Sequence, residues 1–546
     1  MKQQTKYIIG IGLIISAIGT GCKKDFFNRP PENQPTAGTY YKTIAQVASS
    51  TNILYAAPWF GLNGKAFLAL GDLQGGNARC YVGTDPAFGA FANFSAGNTT
   101  GGVQSAWNSL FTVVAQSNAL LSNLPTAAAS VPVATVNNAL GEAHLMRAAA
   151  YFYLVRIFGN VPIITNPTAL VSSFDSVRTN PVTDVYKFMV NDLKFAEANC
   201  LAGVANTGHA SSGSASGLLA KVYLYMQDYA NAQIEAEKVI NSGEFGLVGT
   251  SGNPITFTNM FELAGNNCKE SMIALQWNSN GGYGFANQIQ SVIAPVNDIT
   301  GTGDGYAELG PTYSLQAAFA AAGDSIRRHG TIMDPGAYYP ELHKATGGYT
   351  VPLNVNAQGT HAGLKKYVVG TPDDNGGKTA KQATSNNTYI LRYADILLIE
   401  AEAILGKQAG ATVGHGIDTS ATTTDATALQ YFNMVRSRAG EPAVLSFSYR
   451  DLLKERRLEF AGEADYWYDL TRIDGFASST HVVARAIIMS QNVGDASGGT
   501  AINNYKDFTL YTLYLSINDS QFITPIPQSD VQADPGLLLP PVPYHF

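Results

Sequence analysis

The stretch SGLLAKVYLYMQDYANAQIEAEKVI, Ser216 to Ile240, decides how the rest of the chain is read. Gly217 to Met226 reads as one helix, Gln227 and Asp228 as a turn, and Tyr229 to Ile240 as a second helix. Ala220, Tyr223 and Ala232 fall at the small–aromatic–small spacing of a tetratricopeptide repeat, where small residues let two antiparallel helices approach closely. One such hairpin cannot bury its own apolar face, so further helix pairs are expected beside it.

Helical periodicity recurs on both sides. Thr36 reads as the cap of a helix from about Ala37 to Ala57, stopped by Pro58. Trp107 to Leu124 carries apolar residues at Leu110, Val113, Val114, Leu120 and Leu121, and Pro125 ends it. Gly141 to Phe158 is apolar on one side, with Gly159 as C-terminal cap and Pro162 beyond. Asp184 to Cys200, Tyr389 to Leu405, Ala426 to Ala439 and Tyr449 to Ala461, the last capped by Ser448, complete the set. Between them lie Trp59 to Gly102, Glu244 to Gln276, Asn278 to Gly310 and Met333 to Asn387, rich in Gly, Asn, Tyr and Pro, with a strand-like run at Met272 to Trp277. Loops this long usually carry function. The expected architecture is mainly α: a helical-repeat scaffold (about 37–58, 104–243 and 388–475) bearing a loop-rich lobe with short β-strands (about 59–103, 244–387 and 476–546), together one compact unit over 37–546.

The N-terminus reads as a secretory signal over 1–21. Lys2 and Lys6 precede an apolar run from Tyr7 to Ile18, too short to span a bilayer, and Gly19, Thr20 and Gly21 are small residues before Cys22. That order is similar to the lipobox of bacterial lipoproteins, which makes Cys22 the expected lipidation site, although Gly19 stands where leucine is more usual. The polar stretch to about residue 36 suits a flexible tether. With Cys22 set aside, Cys80, Cys200 and Cys268 leave room for at most one bridge, and no C-x-x-C pair marks a zinc site. A net charge of −7 with only 14% charged residues argues against nucleic acid.

Four segments, in order, are similar to the blocks of one known family. GEAHLMRAAAYFYLVRIFGNVPIIT (Gly141 to Thr165) is similar to that family's second repeat helix and its Phe-Gly-x-Val-Pro exit. Arg392, Tyr393, Ala394, Asp395, Ala401, Glu402 and Ala403 match its R-Y-A-D-x-L-L-x-x-A-E-A helix. ERRLEFAGEADYWYD (Glu455 to Asp469) resembles its E-R-x-x-E block, with Gly462-Glu463 transposed and Asp465 in place of arginine, which puts the salt bridges there in question. PIPQSDVQADP (Pro525 to Pro535) resembles P-I-P-x-x-E-x-x-x-N-P, with Asp530 and Asp534 as departures. Together they resemble the SusD/RagB family of outer-membrane nutrient-binding lipoproteins, which implies a right-handed tetratricopeptide scaffold of about four helix pairs. The resemblance also implies a lid on a TonB-dependent outer-membrane transporter that captures oligosaccharides, occasionally peptides.

Catalytic constellations are missing from the sequence. There is no H-E-x-x-H and no G-x-S-x-G, and GTPDDNGGKT at Gly370 to Thr379 lacks the spacing of a phosphate loop. Glu455 and Glu459, one helical turn apart beside Arg456 and Arg457, read as a solvated or scaffold ion-pair face rather than a hydrolase pair. Asp298 and Asp304 in the Gly-rich loop could ligate calcium but lack the usual acidic ladder, so no cofactor is expected. For a sugar ligand, Trp59, Tyr81, Tyr283 and Tyr306 are the aromatic candidates, and Asn63, Asp72, Arg79 and Asn287 the polar ones. Two or three stacked rings at about 0.5–1.5 kcal/mol each, with a few hydrogen bonds, suit roughly micromolar to millimolar capture.

Overall fold

The computed structural model describes residues 40–80, 86–166, 177–353, 355, 362–496 and 510–546. Thr36, the signal segment, Cys22 and the tether lie outside the described residues.

Nine principal helices carry the described architecture: α1 (Ile44–Ser50), α2 (Gly101–Asn123), α3 (Val133–Phe158), α4 (Val182–Asn199), α5 (Ser212–Tyr225), α6 (Tyr229–Ser242), α7 (Tyr393–Gln408), α8 (Ala426–Arg438) and α9 (Tyr449–Phe460). From α2 to α8 each helix packs on its neighbour in chain order, the stacking of a tetratricopeptide scaffold. The stretch that opened the sequence reading is α5 and α6. Ala220 and Ala232 have no exposed surface, and a Cβ on Gly406 would come within 2.6 Å of the Tyr229 ring. The repeat therefore continues into α7 because a glycine lets that helix seat against an aromatic residue of α6.

Several boundaries differ from the sequence reading. Among the described residues the first helix begins at Ile44, and Tyr40 to Thr43, inside the expected helix, are not helical, because the Thr43 hydroxyl accepts from Gln46 N at 3.2 Å and Gln46 Oε1 accepts from Thr43 N at 3.1 Å, closing the helix there. Beyond Ser50 the chain tightens into 3₁₀ turns through Trp59. Tyr389 to Leu405 is not one helix. Thr388–Arg392 is a strand (β2) paired antiparallel with Ser271–Leu275 (β1), and the helix starts only at Tyr393. A short apolar run such as Tyr389 to Leu391 fits either period, and pairing with β1 settles it. The stretch after Trp59 is not a loop either. Phe60–Asn63, Lys65–Leu68 and Ala69–Leu73 are buried helical turns, and Gly71 lies so close to Ala464 that a Cβ would meet its carbonyl oxygen at 2.2 Å. Cys80, Cys200 and Cys268 are buried and unbridged.

Helix α9 is a charged seam inside the core, where the sequence allowed a solvated face. On one side Glu455 and Glu459 meet Arg327, Arg392 and Arg438, with Glu270, Asp324, Glu463 and Lys366 completing the cluster. On the other, Arg456 bonds Asp395 and Asp469, both at 2.7 Å, and is joined by Lys221, Asp465, Arg472 and Glu402. The transposed Glu463 and the substituted Asp465 thus both remain ion-paired. Burial alone would raise the Asp395 carboxyl, but Lys221 and Arg456 outweigh it and hold the group well below the usual carboxylate range.

Candidate functional site

Two glycine-rich segments joined by one hairpin present aromatic rings to solvent, as Tyr338, Tyr514 and Phe546 do elsewhere. The turn from Asn278 to Phe285 closes on itself: Asn278 N donates to Phe285 O at 3.2 Å, and Phe285 N donates to Gly282 O at 3.1 Å. Gly282 and Gly284 have φ of 70° and 97°, the left-handed region that a side chain resists. Held between them, Tyr283 is 64% exposed, and its ring meets Phe60 edge-on at 4.8 Å. Phe285, in the same turn, is 54% exposed.

The second segment runs from Thr300 to Glu308. Gly305 adopts φ 99°, and a Cβ there would lie 2.8 Å from Val296 O. Tyr306 N donates to Ser291 O at 2.8 Å, and the ring is 39% exposed. The hairpin of Thr379–Ala380 and Ala383–Thr384 ties both segments together. At its tip Gln382, a non-glycine residue at φ 53°, donates from Nε2 to the Tyr306 hydroxyl at 2.7 Å and from its main-chain N to Asp304 at 2.6 Å. At its other end Thr384 exchanges main-chain hydrogen bonds with Asn287 at 2.8 and 2.9 Å, and Ser385 Oγ accepts from Ser279 N at 2.8 Å. Ala307, next to Tyr306, also has positive φ, at 51°. Backbone strain of this kind persists where the surroundings over-determine it and concentrates at functional sites.

The other sequence candidates divide. Trp59 has no exposed surface; its Nε1 donates to Leu54 O at 2.7 Å, and it is a core residue. Asn63 and Asn287 are buried and bonded to each other at 3.3 Å, while Asn287 Nδ2 also donates to Asn386 O at 3.0 Å. Asp72 is buried, accepting from Gly462 N and Ala464 N at 2.9 and 2.7 Å, so it caps the turn after α9 instead of facing a ligand. Arg79 is half-buried and donates to Val493 O at 2.9 Å. Tyr81 lies outside the described residues. Asp304 is buried under the Gln382 turn, and Asp298 accepts from the Tyr349 hydroxyl at 3.2 Å. Among the described residues no group of three or more His, Cys, Asp or Glu could hold a metal ion. Phe285 and Gln382 were not singled out in the sequence. Phe285 shares the glycine signature of Tyr283, whereas nothing local marks Gln382.

Comparison with known proteins follows this geometry. A model described as the SusD family matches residues 269–541, and one described as starch-binding associating with the outer membrane matches 95–224. A SusD-like protein of Bacteroides ovatus is 30% identical over 100% of this chain and 99% of its own length. The chain belongs to the SusD family. Another SusD relative, SusD-like protein P2 of Formosa agariphila, is 26% identical over 80% of this chain and 85% of its own. A solved structure with a xylogluco-oligosaccharide superposes at a TM-score of 0.78, with 29% identity, over 92% of this chain and 99% of that one. A laminarin-binding SusD-like protein shares the fold at a TM-score of 0.67 and 24% identity, over 90% of this chain and 98% of that one. SusD membership accounts for the order of the four sequence blocks along one scaffold.

Proposed function

We propose that this chain captures neutral oligosaccharides on the face built by Tyr283 and Tyr306 and hands them to a TonB-dependent outer-membrane transporter, without cleaving them. One observation carries the reading: two tyrosines are held out to solvent on glycine turns, braced by a common hairpin. Sugar rings offer flat C–H faces to such side chains, and Gln382, Asn280 and Gln288 line the same segments with amides suited to hydroxyls. The family relationship and the xylogluco-oligosaccharide found with a 29% identical structure support a β-linked glucan as the first class to try. In this reading Cys22 is lipidated, the residues to about 36 form the tether, residues 37–546 form one lid-like unit, and the protein faces the exterior.

Calorimetry with xyloglucan and laminarin oligosaccharides tests it. The expected affinity is roughly micromolar to millimolar. Tyr283→Ala with Tyr306→Ala should weaken it about five- to a hundredfold, from ~0.5–1.5 kcal/mol per ring. Equal affinity in the double variant would remove the site from this face, and peptide binding with no glycan binding would replace the ligand class.

A further inference from the structure

A second pocket, separate from the tyrosine face, lies where the end of α3, the start of α4 and the end of α5 meet the segment from Thr471 to His481. Its volume is about 80 Å³, several times what one water requires. Arg156 lines it with a side chain only 4% exposed. The rings of Phe152 and Tyr468 lie 3.8 and 4.2 Å from the guanidinium, so its in-plane N–H edge is left for polar partners. Asp465 is the one described carboxylate on that edge, at 3.4 Å from Nη1. Nε donates to Phe152 O at 2.9 Å, and the Tyr153 hydroxyl is hydrogen-bonded to the guanidinium. Arg327, Arg392, Arg438, Arg456 and Arg472, by contrast, each hold two or more carboxylates.

The same pocket holds two buried polar groups without a hydrogen-bond partner, the Tyr225 hydroxyl and His481 Nδ1. Tyr186 stands there too, facing both Arg156 and Arg472. The inventory leans towards donors. A guanidinium and two phenols can donate, and the nearby carboxylates are held by Lys221, Arg456 and Arg472. The Thr471 and Ser478 hydroxyls already donate to main-chain oxygens, while His481 Nδ1 donates or accepts with its tautomer. Water fills such a space, but a planar anion accepts from an arginine edge and its neighbours at once.

We infer that this pocket binds a small carboxylate, whose oxygens accept from Arg156, Tyr186 and Tyr225 and whose apolar end lies against Phe522. None of these residues belongs to the tyrosine face, so the site stands or falls independently of the carbohydrate reading.

Thermal melts of the full-length chain in formate and acetate, against chloride at matched ionic strength, test the assignment. The expected result is a saturable rise in Tm with either carboxylate and none with chloride, with half-saturation in the millimolar range. Tyr186→Phe with Tyr225→Phe keeps both rings and should abolish the rise. Superimposed carboxylate and chloride curves, or a rise undiminished in the double variant, would overturn the proposal. Should that variant fail to fold, a crystal of the unaltered chain grown in formate decides. Planar density on the Arg156 edge supports the site, and discrete waters alone refute it.

Discussion

The seam around α9 and the frame beneath Tyr283 and Tyr306 are both polar and both buried, yet they solve burial differently. The seam uses full charges: Arg392 alone meets Glu270, Glu459 and Glu463. The frame uses mostly amides and main chain: Asn287 bonds Asn63, Asn386 and Thr384 without a charged partner, and Asp304 accepts from the main-chain N of Gln382. Removing one charge from the seam leaves the others buried with fewer partners, whereas removing the Tyr283 or Tyr306 ring costs the frame at most the bond from Gln382 to the Tyr306 hydroxyl. The interior is therefore expected to be brittle to substitution and the aromatic face tolerant.

The largest test of that contrast is Arg392→Ala. It takes one cation from Glu270, Glu459 and Glu463, leaving them to Arg438, Arg327 and Lys366, and should cost about 3–5 kcal/mol, read as a fall in denaturation midpoint. A loss under about 1 kcal/mol would mean the seam is not what holds α7 to α9. Glu400 sharpens the same point at intermediate size. Burial pushes its carboxyl up to about 7 despite a hydrogen bond from Gln233 at 3.0 Å, and its other oxygen has no partner. The folded state thus holds this proton more tightly than the unfolded chain, whose glutamates titrate near 4.5. Its contribution is intact below about pH 4.5 and lost as pH rises towards 7. Glu400→Gln should flatten that slope and gain about 1–2 kcal/mol at pH 8, with allowance for solvent around the group. Identical pH profiles would refute the assignment. The smallest effect belongs to the face: Tyr306→Ala should change folding stability by less than about 0.5 kcal/mol in the same denaturation measurement.

How much was legible follows the same division. The helices were readable because apolar period and caps are local, and Ser448 caps α9 through Asp451 N at 3.1 Å, as its position suggests. The start of α7 was not, because only the distant strand at Ser271 turns Thr388 to Arg392 into β structure. At the face, glycine neighbours marked the exposed rings of Tyr283 and Tyr306, while Trp59, without such neighbours, packs into the core. Asn63, Asp72 and Asn287 looked like ligand-facing groups because a polar residue's partner, hundreds of positions away in the chain, leaves no local trace. Gln382 was invisible for the same reason.

The hairpin that carries Gln382 has a consequence for divergence. It grips the loops through backbone atoms at Asn287, the carboxylate of Asp304 and the Ser385 hydroxyl at Ser279, all of which stay in place whichever ring stands at 283 or 306. Substitutions at these two solvent-facing positions should therefore combine nearly independently in their effect on folding. A lineage meeting a new polysaccharide can then change its aromatic contacts singly, each step leaving a folded intermediate for selection to act on.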